Sequence, residues 1–212
     1  NVGAPGLDNI ERLKLLDQTK LEDAIGIKLG SRSLLVTWHP VTLEPGENRA
    51  QFLTLLNTLD EMDGLKLVFT KANADTEGHL INQMIDDYVA RNPSKAVSHT
   101  SMGQLRYLST LKYVDGVVGN SSSGIIEAPS LCTGTVNIGD RQEGRVRATS
   151  IIDCDNSSSG IRQALLTLFS ESFQLSLKQV DNPYGSGNVS ERILEILRTC
   201  PKKNILKKTK QV

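Results

Sequence analysis

VGNSSSGIIEAP, Val118 to Pro129, is the stretch on which the reading of this chain turns. An apolar start gives way to two glycines that bracket Asn120 and three serines, and an apolar run with a single carboxylate follows. That is the pattern of a buried strand turning sharply into a helix. Two kinds of chemistry use such a turn. A nucleophile elbow, G-x-S-x-G, counted from Gly119 needs glycine at 123, where this chain has serine, so a hydrolase serine is disfavoured. Anion binding fits better, because small residues let the backbone approach a ligand and the first N–H groups of a helix have no partner within it. Ser121 and Ser122 would add hydroxyl donors to those amides; a plain N-cap accounts for one serine but not three. Ser123 is left as a small residue of the turn. Glu127, early in the expected helix, either accepts from a pair of ribose hydroxyls or simply complements the helix dipole.

Outward from this turn, short β-branched runs alternate with longer amphipathic ones, which indicates an α/β domain. Strands are expected at Ser33–Trp38, Leu65–Phe69, Ala96–Ser98, Gly116–Val118, Thr135–Ile138 and Thr149–Asp153. Helices are expected at Leu7–Asp17, Asn48–Met62, Thr76–Ala90, Met102–Val114, Ile125–Ser130, Ser159–Ser172 and Val189–Thr199. In the second helix Phe52, Leu55, Leu56 and Leu59 follow the i, i+3, i+4, i+7 spacing of a helix laid on a sheet. Strands separated by crossovers make a doubly wound parallel sheet, with ligands beyond the carboxyl ends of its strands.

Composition narrows the partners. With 24 basic and 24 acidic side chains in 212 residues there is no electrostatic footprint for nucleic acid or anionic lipid. No apolar run approaches the ~18 residues of a membrane span, and the amino end lacks a signal-peptide layout, so a cytoplasmic protein is expected. Cys132, Cys154 and Cys200 are odd in number and never in C-x-x-C spacing, which indicates neither a disulfide framework nor a zinc site. No cofactor or metal is called for. The N-x-S triplets at Asn120, Asn156 and Asn188 are too short a pattern to carry a glycosylation reading. The first residue is Asn, not Met, and a fragment of a longer protein is expected.

Four further loops carry chemistry-bearing residues. His39, before Pro40, is pushed toward an extended backbone and is either a phosphate ligand and proton donor or a structural histidine. His79 and His99 read as surface or boundary residues. Asn73 and Asp75 are good turn and cap residues that could equally meet a sugar. Arg141, Arg145 and Arg147 either grip phosphates or line a solvated loop. NPYGSG, from Asn182, lacks the third glycine of a dinucleotide fingerprint and is weak evidence for one.

Taken together, HPVT from His39, NAD from Asn73, GNSSSGIIE from Gly119, GDRQEGR from Gly139 and NPYGSG from Asn182 resemble the UDP-N-acetylglucosamine 2-epimerase family over almost the whole chain. HPVT and NSSS, where the non-hydrolysing branch has H-R-R-E-N and N-S-G-G, resemble the hydrolysing branch of the sialic-acid type. The resemblance implies a Rossmann-like domain, the C-terminal half of a two-domain GT-B enzyme. Residues 1–18 would be an interdomain linker, 19–200 the UDP-binding domain and 201–212 a basic tail. It implies elimination of UDP to a glycal and hydration with inversion at C2, the C2 proton being taken mainly by carboxylates of the missing N-terminal half. His39, Ser121, Ser122 and Arg141 fall on family positions near the phosphates, His39 with a catalytic role. Glu127 falls on the ribose position, Asn73 on a substrate-side position, and the backbone near Met102 on one that meets uracil. Ile126 stands where some relatives carry Arg. The implied partners are a UDP-sugar and the missing half, with a homo-oligomer left open; a GT-B glycosyltransferase donor domain and a UDP-sugar sensor are the alternatives.

Overall fold

A computed structural model describes residues 1–41, 46–73 and 76–200. Thr42, Asp75 and the tail from Pro201 lie outside the described residues. Six parallel strands form one sheet: β1 (Ser33–Thr37), β2 (Lys66–Thr70), β3 (Ala96–His99), β4 (Gly116–Gly119), β5 (Gly134–Ile138) and β6 (Ile151–Cys154). Their order is β3-β2-β1-β4-β5-β6. Helices α1 (Asp8–Arg12), α2 (Gln18–Ile25), α3 (Asn48–Asp60), α4 (Thr76–Arg91) and α5 (Gly103–Tyr113) lie in the first half. They are followed by α6 (Ser122–Ile126), α7 (Ser158–Leu168), α8 (Glu171–Ser176) and α9 (Val189–Thr199). The expected doubly wound sheet is therefore present, and its strand order reverses between β1 and β4, where a crevice must open.

The period-two geometry of β1 explains why both faces are covered. Leu34 and Val36 join Phe52, Leu55, Leu59 and Phe69 in one core cluster, whereas Leu35 joins Leu21, Leu108, Leu111 and Val117 in the other. The second cluster needs α2, which the helix expectations omitted. Its signals were local all the same: Asp17 caps it by accepting from Lys20 N at 2.9 Å, and Gly26 ends it at φ +76°. The helix expected over Leu7–Asp17 is only the five-residue α1, and the one over Ser159–Ser172 is two, because Ser170 stops α7 and caps α8. The helix expected over Ile125–Ser130 begins earlier, at Ser122, and ends at Ile126. Pro129, with no N–H to donate, allows only a 3-10 turn, Ala128–Leu131, beyond it.

Residues 1–12 pack onto this body. Ala4 N donates to Tyr184 O at 2.9 Å, and Leu7 is buried. Asp8, almost fully buried, accepts from Val189 N at 2.8 Å, Ser190 N at 2.9 Å and Ser190 Oγ at 2.5 Å. It thus caps α9 from the other end of the chain, in place of Asn188, which makes no side-chain cap. These bonds, the Ser190 hydroxyl foremost, hold the Asp8 carboxyl down at about 2. A depressed carboxyl contributes stability above its ordinary pKa of 3.8, and loses it as pH falls through the folded value. Asp8→Ala is therefore expected to speed hydrogen exchange of the Val189 and Ser190 amides at neutral pH. The difference from wild type should fade between pH 3.8 and about 2; exchange rates that match wild type at neutral pH would remove this clamp.

Candidate functional site at the sheet's switch point

At the end of β4, Gly119 has φ +137°, and a Cβ there would stand 1.8 Å from Thr37 O. Only glycine permits β1 and β4 to stay paired up to the turn. Next comes Asn120, 1% exposed, whose polar groups are all engaged. Its N donates to Thr37 O at 3.2 Å, its Oδ1 accepts from His39 N at 2.8 Å, and its Nδ2 donates to His39 O at 2.8 Å. Its carbonyl accepts from Arg141 Nη1 at 3.0 Å and Gln142 Nε2 at 2.8 Å. The loops after β1, β4 and β5 are joined on one residue.

Beside this junction lies an open cleft of about 360 Å³, bounded by the loops after β1, β2 and β3 and the start of α6. Thr37, His39, Thr70, Lys71, Met102, Tyr107, Ser121 and Ser123 line it, with Ser101, Gly103 and Gln104. The Thr37 Oγ1 is buried with no partner among the described residues. Ser121 caps α6 by accepting from Ser123 N at 3.4 Å, which leaves its own proton to donate outward. Because α6 has five residues its dipole is small, so local hydroxyls and amides carry any anion preference there. Gly124 seats α6 on β5: a Cβ would come within 2.7 Å of Thr135 Cγ2, and Thr135 Oγ1 donates to Gly124 O at 2.8 Å.

The structure thus brings His39, Met102 and Ser121 to one cleft. Met102 is buried before α5, with its carbonyl accepting from Arg106 Nε at 2.7 Å. Ser122 opens α6 half-buried and is not among the cleft residues, while Asn73 is exposed in the loop beyond Lys71. Arg141 stands across Asn120 from the cleft, in a small recess with Trp38, Gly139 and Asn156. Ser123 is more than a small turn residue, since its hydroxyl oxygen is 2.5 Å from that of Tyr107. Glu127 does not start a helix but follows its last residue, so the dipole explanation for it fails. Burial raises its carboxyl above the ordinary range, against a smaller opposing pull from the nearby Ser123 hydroxyl.

Other expectations are resolved by pairing. Arg147 is held by Asp153 at 3.1 Å and donates to Gln142 O at 2.9 Å, which makes it a brace of the β5 loop, whereas Arg145 is exposed. Asn182 donates to Ile126 O at 2.8 Å and Ser130 Oγ at 2.6 Å, and Gly187 makes room for Glu11. NPYGSG therefore fastens the last loop to α6 and to α1. His99 shares a hydrogen bond with Ile25 O at 3.1 Å, and His79 is exposed on α4. Burial lifts the Cys154 thiol to about 12, so it is inert as a nucleophile. Among the described residues no group of three or more His, Cys, Asp or Glu could hold a metal, and no helix is long and apolar enough to cross a membrane. A larger cavity of about 510 Å³, between residues 7–11, 129–132 and 180–186, lies away from the strand ends and contains none of the expected site residues.

The family model for UDP-N-acetylglucosamine 2-epimerase matches residues 1–198. The chain belongs to that family. It is 39% identical over 174 residues to the GDP/UDP-N,N'-diacetylbacillosamine 2-epimerase (hydrolyzing) of Campylobacter jejuni, covering 82% of this chain and 45% of that one. It is 32% identical over 200 residues to the UDP-N,N'-diacetylbacillosamine 2-epimerase (hydrolyzing) of Legionella pneumophila, covering 94% and 51%. The chain thus spans about half the length of these curated relatives. Its fold is shared with Methanocaldococcus jannaschii UDP-GlcNAc 2-epimerase, crystallised with UDP-GlcNAc and UDP, at a TM-score of 0.69 and 16% identity, covering 93% of this chain and 54% of that one. The domain is accordingly an epimerase fold of the GT-B type.

Asn120→Ala in this epimerase-family chain removes both of its hydrogen bonds to the His39 peptide. It is expected to cost about 2 kcal/mol, or roughly 4–8 °C in Tm by thermal denaturation. Asn120→Asp should not rescue it, because the donor to His39 O becomes a second acceptor. A Tm within 1 °C of wild type in roughly either variant would remove Asn120 as the junction.

Proposed function

We propose that this chain is the UDP-binding half of a hydrolysing 2-epimerase acting on a UDP-linked N-acetylhexosamine, releasing UDP and an N-acetylmannosamine-type sugar for nonulosonate or surface-polysaccharide synthesis. The observation that carries the proposal is the set of groups converging on the switch-point cleft of a chain that matches the epimerase family over residues 1–198: a histidine, serine and threonine hydroxyls and a lysine, Lys71, that is paired with Asp86 at 2.7 Å, with no carboxylate among the described lining residues. Such a lining suits the departing diphosphate. It offers no carboxylate to take the C2 proton, and in the proposed division of labour carboxylates of a companion half take it.

In the proposed reaction the proton leaves C2, the C1–O bond to UDP breaks, and a glycal forms. Water then adds across that double bond, with inversion at C2. His39 supplies a proton to the leaving phosphate and Ser121 a donor to the negative charge that builds on it, with Ser122 beside Ser121 and Arg141 from across Asn120, both outside the cleft lining, adding further donors. Arg141 has five N–H donors, of which one is given to the Asn120 carbonyl. Glu127 takes the ribose hydroxyls, the segment at Met102 borders uracil, and Asn73 meets the sugar side. Alone the chain is inactive, and the protein works in the cytoplasm.

Calorimetric titration with UDP tests the binding half of this reading. Arg141→Ala, and Ser121→Ala with Ser122→Ala, should each weaken UDP by about 10-fold or more, the value of one charge-assisted hydrogen bond. Unchanged affinity in both would remove the phosphate assignment. For the chemistry, the full-length enzyme should release UDP from UDP-N-acetylglucosamine or its diacetamido analogue with no acceptor sugar present. Release that requires an acceptor would favour a glycosyltransferase instead.

A further inference from the structure

The last helix, α9, is amphipathic and has little beneath it. Val189 is buried and Ile193 half-buried, but every residue from Leu194 to Thr199 is exposed. Leu194, Ile196 and Leu197, the large apolar side chains of that stretch, are 50%, 52% and 64% exposed. With Val189 and Ile193 they follow the i, i+3, i+4 spacing of one helix face, while Glu191, Glu195 and Arg198 mark the opposite one. Support from the rest of the domain is concentrated at the first turn, where Asp8 caps the helix and the 3-10 turn Pro5–Leu7 packs on it. A helix of 11 residues draws its stability from burying its apolar face rather than from propensity, so an open face of this kind marks an interface.

The fold also indicates what covers it. The chain spans about half the length of its curated relatives, so in the reading proposed above a companion half remains to be placed. Residues 2 and 3 lie at the foot of α9: Arg192 Nη1 donates to Val2 O at 3.4 Å, and a Cβ on Gly3 would stand 3.2 Å from Val189 Cγ2. A half joined ahead of residue 1 is therefore tethered beside the open face, at an effective concentration that a separate molecule does not match. Apolar side chains confined to one turn also fall far short of the roughly 800 Å² per partner that a stable dimer of separate chains buries. A lipid surface suits α9 less, because Glu191, Arg192, Glu195 and Arg198 cancel in charge and give it no cationic face.

We propose that α9 is a clasp whose Leu194, Ile196 and Leu197 bury themselves on the companion half, so that the nucleotide-binding unit proper ends at the first turn of this helix. This rests on the reading of the chain as one half of a two-half enzyme, and not on which sugar it acts on. Both connections between the halves, residues 1–8 and α9, are then bonded to each other through Asp8 and Ser190.

The test places Leu197→Cys in this chain and in the full-length protein and follows its reaction with a maleimide by peptide mass spectrometry, which separates it from the native cysteines. In this chain alone the thiol should react within about 3-fold of a urea-unfolded control, and in the full-length protein about 10-fold more slowly or less, at any protein concentration. Equal rates in the two proteins overturn the inference. So does protection in this chain alone that grows with its concentration, which assigns the face to a second copy, or protection that requires phosphatidylglycerol vesicles, which assigns it to lipid. Should Leu197→Cys itself loosen the clasp, Leu194→Asp combined with Leu197→Asp gives a second readout. The first melting transition of the full-length protein should fall by about 4 °C or more, while that of this chain alone stays within about 1 °C; an equal change in both overturns the inference. A protected thiol in a full-length protein that releases no UDP from a UDP-sugar leaves the clasp standing while the proposed function falls. Release of UDP with an unprotected thiol does the reverse.

Discussion

The amide of Asn120 pairs with the peptide of His39, and the rest of the site is arranged around that pairing. Where a parallel sheet reverses its winding, the chain leaves β1 on one side and β4 on the other, and the peptides that border the crevice have no strand neighbour to bond with. A side-chain amide is the one group with a donor and an acceptor spaced to replace such a neighbour in both senses. Asn120 does so for His39, while its own carbonyl draws in Arg141 and Gln142. Gly119 is the other half of the constraint, since any side chain there would collide with Thr37 O before Asn120 could reach His39. The histidine is thereby aimed by its backbone.

The site has two chemical zones. The cleft presents hydroxyls, a histidine and Lys71, whose ammonium is paired with Asp86, and the single carboxylate of the turn, Glu127, is set apart from that lining at the end of α6, under Gly6. Separation of this kind keeps a negative group away from where a diphosphate would sit while leaving it able to accept from hydroxyls. The brevity of α6 enforces the arrangement. Pro129 ends the helix geometry three residues after Ile126, and Gly124 lets what remains press onto Thr135. The termini matter too, because Asp8 and Asn182 hold the first and last segments against the same corner.

Strands were legible because a parallel strand covered on both faces is an uninterrupted apolar run, and β1, β4 and β5 are buried along their whole length. Helix ends were less so. The short α2 was hidden by a sequence with few apolar residues, Leu21 and Ile25 being its buried pair, although Asp17 and Gly26 marked both of its ends. Arg147 and Arg141 look alike in the sequence, six residues apart in one loop. Only the position of β6 decides that Asp153 pins the former. Asp8 caps α9 across 181 residues, beyond the reach of any local capping pattern.

By itself the sequence determined the sheet, its winding and the place of the turn at Gly119, because alternation, glycine placement and caps act over a few residues and are written locally. It also carried the motifs whose resemblance to the epimerase family the match over residues 1–198 bears out. Which serine does what was decided only by tertiary structure. Ser121, Ser122 and Ser123 are adjacent and chemically identical, yet one caps a helix, one opens it and one meets Tyr107, a residue of another helix brought there by the packing of α5. Hydrogen bonds are directional and short, so the identity of a partner depends on where distant elements come to rest, and no local pattern contains that information.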